Sequence, residues 1–407
     1  MIPDPFISLN FPRNGDMYIM GIDRCRRNLL QEFVSITRNR EIICHFNFCA
    51  HRILNDQSFS IIFLSLVLQM SLFGLGNPLL DISVVVDQSL LDKYELTCPN
   101  AILAEEKHVP LYKEITTAPF EAEYVAGGSA QNSIRVAQWM LKTPGSTAFA
   151  GCVGVDSHAD TLRDCISKDG VMVEYLVQDV LPTGTCAVLV NHKDRSMVAN
   201  LAAANAYKAD HLQQEDVKAV WTKAKAYFVE GYFLTVSVES ILTLAQHAST
   251  EGKLFGFSLS APFICQFFTE PLLKVLEHTN LVFGNESEAE ALGKTLGWED
   301  LSPKAVAIAL SKLPSANNRP RTAVVTCGPD DLIVAVNGEA QTFAVPKLAP
   351  EQIVDANGAG DAFAGAYTAG VLLGKETADC VRAGIFASQL ILGTSGTKLP
   401  AVNTFEW

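Results

Sequence analysis

Positive charge is scarce in this sequence. Lys and Arg total 31 against 44 Asp and Glu, a formal charge of −13 over 407 residues. So acidic a chain lacks the basic footprint of a nucleic-acid binder. An anionic ligand stays open, because a few local donors can hold a phosphate inside an acidic protein. CxxC pairs are also missing. The 10 Cys are scattered from Cys25 to Cys380, which reads as reduced and mostly buried thiols. The densest group, Cys44, His45, Cys49 and His51, has no second pair at finger-like spacing and is not read as a zinc site. The apolar run Phe59–Gly74 is short for a membrane span, which takes about 20 residues, and lies too deep for a signal peptide. It reads as a buried strand with an apolar lead-in, so no membrane is expected. The common nucleotide motifs are missing too. Gly293-Lys294-Thr295 lacks the upstream Gly of a P-loop, Gly374-Lys375 is followed by Glu376, and there is no HRD…DFG set.

Apolar residues make up 48% and charged residues 18%, the balance of a folded chain. Residues 1–69 stand apart. They hold no Lys but seven Arg: Arg13, Arg24, Arg26, Arg27, Arg38, Arg40 and Arg52. Their acids, Asp4, Asp16, Asp23, Glu32, Glu41 and Asp56, argue against a transit peptide. The expectation is a poorly ordered or non-native extension over 1–70, with Met70 as an alternative start, and one domain over 71–407.

From Ser71 on, short apolar runs alternate with amphipathic stretches. Thr147–Val153, Ala226–Glu230, Leu254–Ser258, Asn280–Gly284 and Thr322–Thr326 read as strands. Ser237–His247, Leu272–His278, Ser287–Leu296 and Pro303–Leu313 read as helices. Nearly all-apolar strands between helices indicate a mainly parallel sheet covered on both faces, an α/β fold. No repeat and no Pro/Gly/Ser linker divides it. Two regions break the rhythm, 82–126 and 181–205, with pieces such as Ile82–Val86 and Thr185–Val190. They predict a small accessory sheet, a natural lid.

Four motifs carry chemistry. Asp355-Ala356-Asn357-Gly358-Ala359-Gly360-Asp361 leads into a helix. The N–H groups of Gly358, Ala359 and Gly360, with the helix dipole, would make an anion hole. Asp361 beside such a hole makes sense as a base for a hydroxyl attacking a phosphoryl group; as a plain helix cap it makes sense too. Gly127-Gly128-Ser129-Ala130-Gln131-Asn132 permits close backbone approach to a ligand, or is an ordinary glycine turn. Gly74-Leu75-Gly76-Asn77-Pro78-Leu79-Leu80-Asp81 follows the first apolar strand, and Asp81 could accept from a vicinal diol. Asn285-Glu286-Ser287-Glu288 closes another strand and suits a water-mediated Mg²⁺ site, or a helix N-terminus with acids in its first turn.

Together these motifs resemble the ribokinase-like, or PfkB, carbohydrate kinase superfamily. LFGLGNPLLDIS (72–83), EYVAGGSAQNSIRVAQWML (123–141), PTGTCA (182–187), ANLAAAN (199–205), VFGNESEA (282–289) and DANGAGDAF (355–363) look like its adenosine kinase branch in order and spacing, over about residues 71–400. The resemblance implies a three-layer α/β/α domain with a small β-sheet lid, and Mg²⁺- and ATP-dependent phosphorylation of the adenosine 5′-hydroxyl. It implies Asp361 as base and Gly358, Ala359 and Gly360 as the phosphate cradle. Asp81, with Gly128 and Asn132, would grip the ribose hydroxyls, Gly127, Ser129 and Asn357 would be further substrate-binding residues, and Asn77 would lie beside the nucleoside. Leu79, Met197, Ala199 and Phe233 would line the adenine slot, Arg195 would reach the phosphates from the lid, and Asn285 and Glu288 would organise Mg²⁺. A cytoplasmic monomer is implied, with the nucleus as a second location and small molecules as the partners. The chain departs from the family pattern at Ala356, Ser258, Ala101, Ile385 and Pro329, which bears on ATP affinity more than on the chemistry. The alternatives are a kinase of the same superfamily acting on a sugar or another nucleoside, and a silent nucleoside binder whose residues 1–69 recruit a partner.

Overall fold

The computed structural model describes residues 70–407 except 99, 193 and 317. The 1–69 extension, the Cys44–His51 group and the first part of the Phe59–Gly74 run lie outside the described residues.

Fourteen strands are formed among the described residues. In chain order they are β1 Leu72–Leu75, β2 Leu79–Val85, β3 Asn100–Leu103, β4 Glu123–Gly127, β5 Thr147–Val153, β6 Met172–Val177 and β7 Thr185–Asn191. Then come β8 Asp194–Asn200, β9 Ala226–Glu230, β10 Leu254–Ser258, β11 Leu281–Asn285, β12 Thr322–Cys327, β13 Asp330–Val336 and β14 Glu339–Phe343. Nine of them form one sheet in the order β14-β13-β12-β11-β10-β9-β1-β5-β6. It is parallel from β12 to β6 and antiparallel only where β13 and β14 fold back.

The central parallel strands are mostly apolar because helices cover both faces. β5 and β9 are buried at every position. On one face Ile134, Phe363 and Tyr367 join a core built from helices Ser129–Leu141, Ala359–Leu372 and Thr377–Leu392. On the other, Ile241, Leu244, Leu272 and Val275 form a second core with helices Val238–Thr250 and Thr269–Leu276. The remaining five strands make a smaller sheet, β3-β8-β7-β2-β4. Leu90, Leu91, Leu111 and Ile115 pack on one of its faces.

Several boundaries differ from the sequence reading for physical reasons. Helix Ser129–Leu141 begins at Ser129, five residues before the apolar period that starts at Ile134, because Ser129, Asn132 and Ser133 of its start bond to carboxylates from other elements. β2 starts at Leu79, not Ile82, since Leu79 and Leu80 are buried although Pro78 precedes them. The seven cysteines within the described residues are free thiols. No helix among the described residues is long and apolar enough to cross a membrane.

Candidate active site

The parallel strands end on one side of the large sheet, where open α/β sheets carry their ligands. A cavity of about 1100 Å³ lies there, bounded by strand ends β9 and β11, the start of helix Ala359–Leu372, and β2, β3, β7 and β8 of the small sheet. Of the residues singled out from sequence, Asn77, Leu79, Asp81, Gly128, Ser129, Asn132, Arg195, Met197, Ala199, Phe233, Asn285, Glu288, Asn357, Gly358, Gly360 and Asp361 all line it. Gly127 and Ala359 stand behind the wall.

Asp361 is the third residue after the helix N-cap Gly358. Its Oδ1 accepts from Ser129 Oγ at 2.6 Å and its Oδ2 from Asn132 Nδ2 at 3.1 Å. Both donors lie one turn into helix Ser129–Leu141, so the two helix N-termini meet at this carboxylate. Part of Asp361 faces the cavity, yet protein surrounds it closely. Burial therefore pushes its pKa up to about 6, against the two hydrogen bonds that pull it down.

Two glycines make this junction possible. Gly128 has φ +88°, and a Cβ there would come within 2.3 Å of the Asn77 carbonyl oxygen. Gly358 has φ +78° at the N-cap, with Thr397 Oγ1 at 2.3 Å from any added Cβ. Gly360 differs from both. A Cβ on it would meet nothing within 4 Å, so the backbone at Gly360 opens onto the cavity it lines. The first-turn N–H groups of a helix have no acceptor within the helix and carry its positive dipole end. Here they point at a space of ligand size.

The loop before this helix is pinned. Asp355 accepts from Asn357 N–H at 2.6 Å and Gly396 N–H at 2.9 Å, and its carboxylate pairs with Arg195 Nε at 2.7 Å. Arg195 Nη2 also donates to the Val354 carbonyl. The arginine of β8 thus clasps the small sheet to the loop of the anion hole. In this conformation its charge is already paired rather than free for a phosphate.

Asp81 sits on β2 at 6% exposure, and Asn357 Nδ2 approaches its Oδ2 at 3.4 Å. Burial first, then the charge of Asp361, raise its pKa to about 7. The apolar side of the cavity has Leu79, Met197, Ala199 and Cys186 on one wall and Phe233 opposite, held edge-on by Tyr207 with ring centroids 5.4 Å apart. That slot suits a flat ring.

Asn285 and Glu288 form a reciprocal helix cap. Asn285 Oδ1 accepts from Glu288 N–H at 2.9 Å, and Glu288 Oε2 accepts from Asn285 N–H at 3.0 Å. Asn285 Nδ2 donates to Glu288 Oε1 at 2.9 Å. This is the capping alternative left open in the sequence, and both residues still line the cavity. Burial raises Glu288 to about 7. No cluster of three or more His, Cys, Asp or Glu poised to ligate a metal directly exists among the described residues.

Sequence reasoning missed Glu230, the last residue of β9. It is 3% exposed, lines the cavity, and accepts from Ser133 Oγ at 3.1 Å. Its only signal was an acid closing an otherwise apolar strand. Ser260 was missed as well; its Oγ accepts from Gly231 N–H at 2.8 Å and fixes the turn that delivers Phe233. Among the positions that depart from the family pattern, Ala356, Ser258 and Ala101 line the cavity. Ile385 packs half-buried against the core and Pro329 is exposed.

Charge in the cavity is one-sided. Asp81, Glu105, Asp194, Glu230, Glu288 and Asp361 line it, with Arg195 the single basic lining residue among the described residues.

Comparison with known proteins agrees with this geometry. The profile described as pfkB family carbohydrate kinase matches residues 88–404. Adenosine kinase 1 of Arabidopsis thaliana is 46% identical over 336 residues, 82% of this chain and 97% of that protein. Adenosine kinase of Dictyostelium discoideum is 46% identical over 80% of this chain and 95% of its own length. Among solved structures, Anopheles gambiae adenosine kinase in complex with P1,P4-di(adenosine-5) tetraphosphate superposes with a TM-score of 0.78 at 44% identity, covering 81% of this chain and 97% of that one. Schistosoma mansoni adenosine kinase in complex with 2-fluoroadenosine gives a TM-score of 0.79 at 36% identity, covering 82% and 98%.

Proposed function

Because the chain belongs to the pfkB family of carbohydrate kinases, we propose that it is an adenosine kinase, an ATP-dependent enzyme that phosphorylates the 5′-hydroxyl of adenosine to give AMP and ADP. One observation carries the proposal: the Asp361 carboxylate is held by Ser129 and Asn132 in the helix turn that opens onto the cavity at Gly360. A base and an anion hole on one helix turn are what transfer to an alcohol needs.

Asp361, ionised above about pH 6, takes the hydroxyl proton as attack proceeds. The first-turn N–H groups at Gly358–Gly360 stabilise charge on the transferring phosphoryl oxygens. Asp81 accepts from the ribose 2′- and 3′-hydroxyls, with Asn132, Asn357 and the Gly127–Gly128 turn shaping that end. Phe233 and the Leu79, Met197 and Ala199 wall clamp the adenine, and Asn77 borders the nucleoside. Arg195, by holding Asp355, couples the small sheet to the phosphate loop. Closure of that sheet would exclude water and limit ATP hydrolysis. Every group invoked lies on one chain, so the site as read needs no residue from a second copy.

An acid-lined cavity with one arginine is unfavourable for a bare polyphosphate, and that imbalance fits a dication. Asn285 and Glu288 are committed to each other, so they would hold Mg²⁺ through water, as this ion prefers. When bound it neutralises phosphate charge.

A coupled ADP-release assay with Mg-ATP tests the proposal. Turnover is expected on adenosine and not on ribose or inosine. Turnover on ribose or inosine instead would leave the kinase chemistry and overturn the substrate. Binding of adenosine without turnover would point to the silent binder.

A further inference from the structure

Helix Ser129–Leu141 buries one charge that the reaction as derived does not use. Arg135 is 3% exposed and stands behind the cavity wall. A guanidinium this deep must be paired, because a lone buried charge is costly. Its Nε donates to Asp169 Oδ2 at 2.6 Å, at the C-terminal end of helix Ser157–Lys168. Its Nη1 donates to the Ala126 carbonyl of β4 and to Asn132 Oδ1, each at 3.3 Å. Asn132 lies three residues before Arg135 on the same helix, so the two side chains are neighbours on one face. At the other end of that amide, Asn132 Nδ2 donates to Asp361 Oδ2 at 3.1 Å. An unbroken line of hydrogen bonds therefore runs Asp169–Arg135–Asn132–Asp361.

The amide of Asn132 has a donor end and an acceptor end, and its neighbours decide which goes where. A guanidinium offers only donors and an ionised carboxylate only acceptors. The amide oxygen therefore belongs on Arg135 and the NH₂ on Asp361. Turned over, the amide would set its NH₂ against N–H groups and its oxygen against the carboxylate. With an apolar side chain in place of Arg135, half of that prohibition is gone.

We propose that Arg135 is a positioning residue for the phosphoryl transfer: it holds the Asn132 amide with its NH₂ on the Asp361 carboxylate, while Asp169 and the Ala126 carbonyl anchor Arg135 itself. The proposal rests on the reading of Asp361 as the base. Hydrogen bonds to charged groups are the strong ones, and each polarises the next. With Ser129 on Oδ1 and Asn132 on Oδ2, the carboxylate keeps one orientation toward the incoming hydroxyl. The Asn132 bond also pulls the Asp361 pKa down against burial, so its loss makes the base harder to ionise. The other titratable groups that feel the Asp361 charge are Asp81 of β2, Glu230 of β9, Tyr232 just after it and Glu288 of helix Glu286–Thr295. Asp81 feels the Arg135 charge as well. At saturating adenosine Asp81 is engaged by the ribose, which leaves Asp361 to set the acid limb of kcat.

The test is the pH profile of kcat on the full chain, with adenosine and Mg-ATP both saturating. In Arg135→Met the acid limb should move up by about one pH unit, and kcat at pH 6 should fall by about tenfold. Arg135→Lys keeps a cation with three donors and should hold the limb within about 0.3 of a pH unit of wild type. Asn132→Ala should move the limb as far as Arg135→Met does, and combining the two should move it no further, because the effect runs through that amide. Arg135→Met also strands Asp169 and should melt lower, which a purely structural residue would do without moving the limb. Should it not fold, Arg135→Met combined with Asp169→Asn removes the ion pair whole and carries the same readout. An unmoved acid limb in the variant lacking Arg135 overturns the proposal. So do a limb in Arg135→Lys displaced as far as in Arg135→Met, and a further shift when Arg135→Met is added to Asn132→Ala. If Asp361→Asn turns over normally, the base reading and this proposal fall together; if only the Arg135 arms fail, the proposal falls alone.

Discussion

At the scale of single residues, two side-chain positions on one helix turn divide the work. Asp361 must be ionised to accept a proton, and its pKa is held at about 6. Activity limited by this group should rise with pH through about 6 and level off above it, since protonation below that value removes the base. Asp361→Asn should fold, bind adenosine with little change in a calorimetric titration, and lose about 10²–10⁴-fold in kcat. Near-normal turnover would remove Asp361 from the mechanism. Gly360 makes the complementary case. Its missing Cβ faces empty space, so Gly360→Ala clashes with nothing in the protein. Ala also favours a helix by about 0.5–1 kcal/mol over Gly. The variant should therefore melt at the same temperature or slightly higher while losing most of its turnover, because the added methyl occupies the phosphate's place. A Gly360→Ala enzyme that is both stable and fully active would show that the phosphate lies elsewhere.

At the scale of elements, the strands were the most legible part of the chain. Runs such as TAFAGCV and AYFVE are almost wholly apolar and are buried at every position because both faces of a parallel sheet are covered, and a bare sequence shows that apolar run directly. The start of helix Ser129–Leu141 was not legible. Ser129, Asn132 and Ser133 serve carboxylates from elsewhere in the chain, so the apolar period appears only at Ile134. The hairpin β13–β14 was hidden for a similar reason, with β14 half polar at the sheet edge. Arg321 was invisible as well. It is 1% exposed, has no carboxylate partner, and sits just before β12. Its guanidinium donates to the carbonyls of Leu276, Thr279, Leu310, Leu313 and Pro314. These lie at the C-terminal ends of helices Thr269–Leu276 and Pro303–Ser311, where orphan carbonyls and the negative dipole end favour a cation. One side chain thus ties two helices to the sheet. Arg321→Leu leaves those carbonyls buried without donors, at about 1–3 kcal/mol each. Its melting temperature should drop by many degrees. The kcat of the folded fraction should stay near wild type, because nothing in the cavity touches this residue. An unchanged melting curve would show that water replaces the arginine.

At the scale of the whole molecule, residues from positions 77 to 361 converge on one cavity. The sequence displayed the motifs and their order, but not that the acids among them would share a low-dielectric wall. Glu230 in particular gave no sign, because its surroundings are set by Ser133 and Asp361, which lie far from it along the chain. The convergence carries a cost in stability. Asp81 and Glu288 are raised to about 7 and Asp361 to about 6, so the folded protein binds protons that the unfolded chain, with ordinary carboxylates, has already released. Stability contributed by such groups is complete below about pH 4 and is lost as pH rises toward 7. Buried His211 and half-buried His247 and His278 act in the opposite sense, since desolvation lowers their pKa. A pH scan of the wild type alone would mix these two effects; a difference between two proteins separates them. In Asp81→Asn the histidines are unchanged and one titrating acid is gone. At pH 5 Asp81 is mostly protonated in the folded state, and the variant should melt close to the wild type. At pH 8 the wild type buries a charge that the variant lacks, and Asp81→Asn should melt several degrees higher. Each pKa unit corresponds to about 1.4 kcal/mol. The same variant should bind adenosine more weakly at pH 8, because an amide accepts less well than a carboxylate from two hydroxyls. A melting difference that is flat between pH 5 and 8 would mean that Asp81 keeps an ordinary pKa. In that case the small sheet does not seal β2 from water before the substrate arrives.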